Sequence, residues 1–216
     1  MQINEAKKLL ATVFGKLKTA NTLACLDSIM DVHSVLKNNQ LDRTKYPELE
    51  GLTLSDKEIE TLCDEYFVEG ILKLDVKTQL ITPLEKLFYA VLWKNGDLVK
   101  IKHIVRGAKE AGHNQPLNAK TGLVFNQLGR HLVNELEVIV DQHVLRAFVC
   151  FRHIDQEDSV FVGFCKQGTS LSNLRGIQEY KDWIKQNIQV QQPDFLRRVD
   201  EILFALGKAI KVKKGL

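Results

Sequence analysis

The sequence predicts a mainly α protein with one short β-ribbon near residues 71–81. Three observations carry this. Apolar residues recur at the three- and four-residue spacing of a helix face along most of the chain, as in Ala6, Leu9, Leu10, Val13, Phe14 and Leu17. Two segments open with helix-start chemistry, Ser55 with Glu58 and Thr82-Pro83 with Glu85. Only residues 71–81 (ILKLDVKTQLI) alternate as a strand does.

In chain order, the first stripe is followed by a second helix through Leu26, Ile29, Met30 and His33. Residues 37–52 are polar and irregular, hold Pro47 and Gly51, and read as a long loop. Ser55 and Glu58 then form a capping box for a helix carrying Ile59, Leu62, Cys63 and Phe67, stopped by Gly70. The Thr82 helix places Leu84, Leu87, Phe88, Val91 and Leu92 on a stripe expected to be buried, and Asn95-Gly96 ends it. Asp97 is placed to cap the next helix, with Leu98, Ile101, Val105 and Ala108 inward. Residues 112–118 (GHNQPLN) read as a turn, followed by a helix through Val124, Leu128 and Leu132 and another from Asp141 to about His153. Residues 154–172 are ambiguous, with 160–164 apolar and β-leaning. Two helices close the chain, one with Ile177, Tyr180, Trp183 and Ile184, one with Phe195, Val199, Ile202, Leu203 and Leu206.

At 216 residues and 44% hydrophobic content, the chain suffices for one large domain or two small helical lobes with a real core. No apolar run reaches the ~18 residues that span a bilayer. The first residues, MQINEAKKLLATVFGK, lack the apolar stretch and cleavage site of a signal peptide, so the expectation is a cytoplasmic, nucleoid-associated protein without a membrane partner. Cys25, Cys63, Cys150 and Cys165 have no metal-ligand spacing and read as small buried hydrophobes, so no metal and no iron–sulfur cluster is expected. The net charge is only +3, but it is unevenly spread: 42–85 holds eleven acids and five bases, 94–131 seven bases and two acids, and 166–216 ten bases and five acids. Local basic surfaces of this kind bind polyanions or form solvated helix faces.

The chemistry concentrates between 120 and 148. Lys120-Thr121-Gly122 opens a helix, and Ile139-Val140-Asp141-Gln142-His143-Val144-Leu145-Arg146 follows a loop, with lysine and aspartate twenty-one residues apart. This resembles the helix-hairpin-helix DNA glycosylases of the endonuclease III type, in which a Lys-Thr-Ala helix precedes Val-Asp-x-His at a slightly shorter spacing. Residues 199–208 (VDEILFALGK) are similar to that family's late helix. The resemblance spans about 84–208 and is specific over 120–148. It implies two helical lobes flanking a cleft: one made of 1–81 with about 170–216, the other of 82–169. It implies a base-excision glycosylase with lyase activity on a damaged base, oxidised bases included, in duplex or single-stranded DNA, without a cofactor. Lys120 would be the nucleophile and Asp141 the carboxylate, facing each other across the cleft, with Thr121 and His143 in support.

That pairing has a physical basis. Breaking an N-glycosidic bond builds positive charge on the sugar, which a nearby carboxylate stabilises. An attacking lysine must be neutral, so its pKa must fall from ~10.4, and the Schiff base it forms permits strand cleavage. By position alone, Asp141 also fits an ordinary helix N-cap and Lys120 a surface lysine.

The family's hairpin reads Leu-Pro-Gly-x-Gly, and its glycines let backbone amides approach a phosphate. Here Pro116 and Asn118 stand at those positions, and Asn118 tolerates the left-handed conformation. Lys100, Lys102, Arg106, Lys109, Asn118 and Arg146 are the candidate DNA contacts. A glycosylase extrudes its target nucleotide, and Trp93, Asn95, His113, Asn114 and Gln115 are candidates for the wedge or base pocket, with core packing the competing role for Trp93. Two alternatives use the same residues differently: a non-catalytic, winged-helix-like DNA-binding regulator built on the Ser55 helix and the 71–81 ribbon, and a helical interaction protein.

Overall fold

The computed structural model describes residues 1–46, 52–68, 71–73, 75–167 and 173–212. Pro47 and Gly51 of the expected loop, the stop at Gly70, and Lys213 and Lys214 lie outside the described residues. The helices among the described residues are α1 (Ile3–Thr19), α2 (Leu23–Val32), α3 (Ser34–Lys37), α4 (Asp56–Thr61), α5 (Pro83–Lys94), α6 (Leu98–Gly112), α7 (Leu123–His131), α8 (Gln142–Arg152), α9 (Asp158–Lys166), α10 (Leu174–Asn187) and α11 (Pro193–Ala209). The mainly α expectation holds, and no described helix is long and apolar enough to cross a membrane.

The chain divides into two compact units, Met1–Leu49 with Val138–Leu216, and Glu50–Glu137. The first unit therefore holds both chain ends together with α8 and α9. Boundaries at 81/82 and about 169/170, drawn from sequence, assign those two helices to the central lobe.

The first unit is built around α8 and α11. The stripe expected of α1 is its buried face, and Leu26, Ile29 and Met30 of α2 are buried as well. Phe14 stacks on Phe151 at 3.9 Å between ring centroids and meets Trp183 edge-on at 5.0 Å. On α11, Val199, Ile202, Leu203 and Leu206 are fully buried. Gly207 brings its helix against the start of α8: a Cβ there would lie 1.8 Å from the His143 carbonyl oxygen. Residues 160–164, β-leaning by composition, lie inside α9 instead, burying Phe161 and Cys165. Packing of this one face overrides the local preference of Val160 and Val162.

The second unit centres on α6 and α7, which run antiparallel, since Gly107 meets Asn126 and Gly129 meets Ile104. A Cβ at either glycine would sit 1.9 Å from the facing carbonyl oxygen, so the two backbones touch. Both expected capping boxes form, at Ser55–Glu58 and at Thr82–Glu85. Five expectations fail here. The Ser55 α-helix ends at Thr61 and passes into a π-helical turn over Leu62–Tyr66, and Phe67 lies in the ribbon rather than on that helix. The ribbon pairs Phe67–Val68 with Ile71–Leu72 only, and Val76–Thr78 is a 3₁₀ turn rather than strand. Asp97 makes no cap bond; it sits in helical conformation and pairs with Lys100. The apolar stripe of α5 is not buried: Leu84, Leu87, Phe88 and Val91 are all about half exposed or more. Among the described residues α5 packs on α6, and this face of α5 stays exposed. On α7 the buried face is Leu123, Asn126, Gln127, Gly129 and Arg130, not Val124, Leu128 and Leu132.

Candidate functional site

Asp141 follows residues 138–140 and caps α8. Its φ/ψ are extended, and its Oδ1 accepts the His143 backbone N–H at 2.6 Å. The first residues of a helix have amides without intrahelical partners, and a carboxylate at that end is favoured by the helix dipole. Asp141 is half-buried.

His143, whose backbone N–H Asp141 accepts, belongs to a buried polar cluster. Arg146, one turn along α8, is fully buried. Its guanidinium donates to the Gln167 carbonyl (3.1 Å from Nε, 2.8 Å from Nη2), to the Gly207 carbonyl (3.1 Å) and to His143 Nδ1 (2.6 Å). A guanidinium only donates, so Nδ1 of His143 is the acceptor and the ring is neutral there. Burial pushes the His143 imidazole below its ordinary value, opposed by Asp141 and reinforced by Arg146 and Lys211. The ring also meets Phe204 edge-on at 5.0 Å. Arg146 was expected to reach DNA. It is instead an internal clamp joining α8, the end of α9 and the end of α11, with no N–H turned toward solvent for a phosphate.

Two residues that the sequence reading did not single out hold the approach to Asp141. Asp200 of α11 is buried. Its Oδ2 accepts the Ile139 backbone N–H at 2.8 Å and its Oδ1 accepts the Tyr180 hydroxyl at 2.5 Å. Desolvation drives the Asp200 carboxyl up to about 7 despite both hydrogen bonds, and the same burial, with the Asp200 charge, raises the Tyr180 phenol. Asp200 lies in the VDEILFALGK segment, but a single acid on an amphipathic helix carries no signal of its inward direction.

The other sequence-derived residues belong to the second unit, as Lys120 does, whereas Asp141, His143 and Arg146 belong to the first. Lys120 and Thr121 are exposed and precede α7 rather than opening it. The helix begins at Leu123 after Gly122, whose φ is +64° and whose Cβ position lies 2.2 Å from the His103 ring. A side chain there would be both strained and sterically blocked. The left-handed residue of the turn is Asn114 (φ 54°), not Asn118. Asn118 is exposed and offers its carbonyl to Arg106 Nη2 at 2.9 Å. Arg106 also bonds Glu110 at 2.7 Å, so it is committed to the turn it leaves. Lys100 pairs with Asp97 and lies over the Phe125 ring at 5.2 Å. Lys102 and Lys109 are exposed. His113 Nδ1 donates to the Lys109 carbonyl at 2.9 Å, and the Gln115 carbonyl accepts from Arg130 at 2.9 Å. Trp93 and Asn95 close α5 on the surface; Trp93 is 67% exposed and not a core residue.

The turn is backed by a buried polar network that the apolar pattern hid. Asn126 Nδ2 donates to Glu110 at 3.1 Å, while Gln127 and Arg130 reach Glu137 at 2.8 and 3.3 Å. Asn126 Oδ1 is buried without a hydrogen-bond partner among the described residues.

A concavity of about 520 Å³ lies beside α2 and α3, edged by Arg43, Arg198 and Glu201, and none of the sequence-derived residues lines it. No cluster of three or more metal-ligating side chains occurs among the described residues. No protein-family model matches the chain, and no curated protein or solved structure matches it.

Proposed function

We propose that this chain is a divergent DNA base-excision glycosylase with lyase activity, in which Asp141 is the carboxylate and Lys120 the amine. The observation that carries the reading is Asp141: a half-buried aspartate at the start of α8, its Oδ1 held by the His143 backbone N–H, in a segment anchored by Asp200 through the Ile139 N–H. A negative charge fixed in that way suits a transition state that develops positive charge on a sugar. The exposed Lys102, Lys109 and Lys120 of the second unit are the candidate phosphate contacts and nucleophile. Lys120 is exposed in the protein alone, so in this reading bound DNA supplies the desolvation that a neutral amine requires.

The neutral amine adds to the sugar C1′ as the base leaves with the glycosidic electron pair and takes up a proton; the amine nitrogen gives up a proton, and opening of the sugar ring, with the C1′–O4′ pair and a proton going to O4′, gives an iminium that borohydride reduces. The test is borohydride trapping on oligonucleotides that each carry one damaged base, oxidised bases included, with Lys120→Ala and Asp141→Asn alongside wild type. Asparagine caps a helix as well as aspartate does, so Asp141→Asn removes the charge while keeping the fold of α8. Base release is expected to fall by about a hundredfold or more in Asp141→Asn, and the trapped adduct to vanish in Lys120→Ala. An adduct that persists in Lys120→Ala removes this nucleophile, and no product on any substrate removes the enzyme reading. A second reading, a helical interaction protein, is favoured by one observation: the uncovered stripe Leu84, Leu87, Phe88 and Val91 on α5.

A further inference from the structure

Among the four free cysteines, two stand apart. Cys25 is exposed and Cys63 half-buried, whereas Cys150 and Cys165 are both buried and their sulfurs lie 3.6 Å apart. They come from facing helices, Cys150 from the last turn of α8 and Cys165 from the end of α9. A disulfide requires ~2.0 Å between sulfurs, so closure brings them about 1.6 Å nearer. We propose that Cys150 and Cys165 are a dithiol site that a hydroperoxide oxidises to an intramolecular disulfide joining α8 to α9.

The surroundings distinguish the two sulfurs. Cys165 is held below the ordinary thiol value, first by the hydrogen bond from Cys150 and also by the positive Arg146 guanidinium, against the cost of burial. Cys150 is pushed far up, first by that same hydrogen bond and then by burial. Arg146 is one turn before Cys150 on α8 and acts on both sulfurs. With Cys165 as the attacking thiolate Cys150 is the resolving thiol, and the reverse order gives the same disulfide, since either sulfur can donate across the 3.6 Å contact. The thiolate of Cys165 attacks the terminal peroxide oxygen, forming a sulfenic acid and releasing hydroxide, which takes up a proton. The sulfur of Cys150 then attacks the sulfenic sulfur, its proton leaving with the expelled hydroxyl as water. Two thiols and hydrogen peroxide thus become one disulfide and two waters. Access requires local opening between α8 and α9, which favours a small oxidant over a bulky one.

The bond would fasten a junction already tied by Arg146 of α8 to the Gln167 carbonyl at the end of α9. It is independent of any DNA chemistry.

The test uses the full chain with Cys25→Ser and Cys63→Ser, which leaves only the buried pair. After stoichiometric hydrogen peroxide, denaturation and alkylation, the expected intact mass is that of the protein less two hydrogens with no alkyl group, and dithiothreitol restores two alkylable thiols. Proteolytic mapping joins the peptides of Cys150 and Cys165, and the melting temperature of the oxidised form rises by several degrees. With Cys150→Ser added, peroxide leaves a sulfenic acid on Cys165 that dimedone captures. Two thiols still alkylable after peroxide, or a gain of two oxygens on one cysteine in place of the disulfide, overturns the proposal.

Discussion

Replacing Asp200 by asparagine tests how the segment that carries Asp141 is held. The carboxyl is buried, accepts from Ile139 and Tyr180, and has its pKa raised by desolvation from 3.8 to about 7. An acid with a higher pKa in the folded than in the unfolded chain binds its proton more tightly when folded. Its contribution to stability is fully present below the unfolded value and is lost as pH rises through about 7. The difference between the two pKa values corresponds to ~4 kcal/mol as an upper figure. Asparagine has nearly the same shape. Its oxygen can accept from Ile139 and its amide can donate to the Tyr180 oxygen, so it reproduces the protonated carboxyl and cannot ionise. Urea unfolding followed by circular dichroism from about pH 5 to about pH 8 should show wild type losing up to ~3 kcal/mol more than Asp200→Asn across that range. Profiles that run parallel within ~0.5 kcal/mol would refute the reasoning, because the carboxylate would then be no worse solvated in the fold than in the unfolded chain.

Three further substitutions separate support from surface. Gly207→Ala places a methyl 1.8 Å from the His143 carbonyl oxygen, and overpacking against backbone is expected to cost ~1–3 kcal/mol or more, read as a lowered urea midpoint. Arg146→Met strands the Gln167 and Gly207 carbonyls and His143 Nδ1 in a buried site; a loss of ~3–5 kcal/mol in unfolding free energy is expected, whereas a residue that merely touched phosphate would change only the salt dependence of DNA binding. Phe88→Ser on α5 removes a side chain that is 58% exposed, so unfolding free energy should change by only about 0.5 kcal/mol; a loss of several kcal/mol would mean that α5 is covered in solution.

The helix starts were legible because they are local. Ser55 with Glu58, Thr82 with Glu85, and Asp141 each cap their helix through side chains and amides two or three residues apart. The α1 stripe was legible because every inward position is apolar. On α7 the same rule misled. The apolar residues Val124, Leu128 and Leu132 have helical spacing, but so do Leu123, Asn126, Gln127 and Arg130, and it is this mostly polar set that is buried, donating to Glu110 and Glu137. Periodicity finds a helix; it does not say which face is inside when partners of opposite polarity wait on the neighbouring element. Arg146 was misread for the same reason. One basic residue on α8 looks like a phosphate contact until Gln167 and Gly207, twenty-one and sixty-one residues away in sequence, turn out to offer it their carbonyls.

Glycine shows where sequence stops and packing begins. Gly15, Gly107, Gly129, Gly163 and Gly207 all sit inside helices, where glycine costs about 1 kcal/mol relative to alanine. At Gly15 and Gly163 a Cβ would meet nothing within 4 Å. At Gly107, Gly129 and Gly207 it would strike a carbonyl oxygen of the facing helix at 1.9, 1.9 and 1.8 Å. Those three set how closely α6 approaches α7 and α11 approaches α8. Each lies near a candidate site: the first two fix the helices that bracket the Lys120 turn, and the third seats α11 against His143, two residues past Asp141. No property of the sequence separates the two kinds of glycine, because the facing backbone lies 19 or more residues away along the chain. An alanine at each of the five positions divides them. Gly15→Ala and Gly163→Ala should stabilise by up to ~1 kcal/mol through helix propensity, and the other three should destabilise. A loss of stability at Gly163 equal to that at Gly207 would break this argument, since only Gly207 has a backbone in its way.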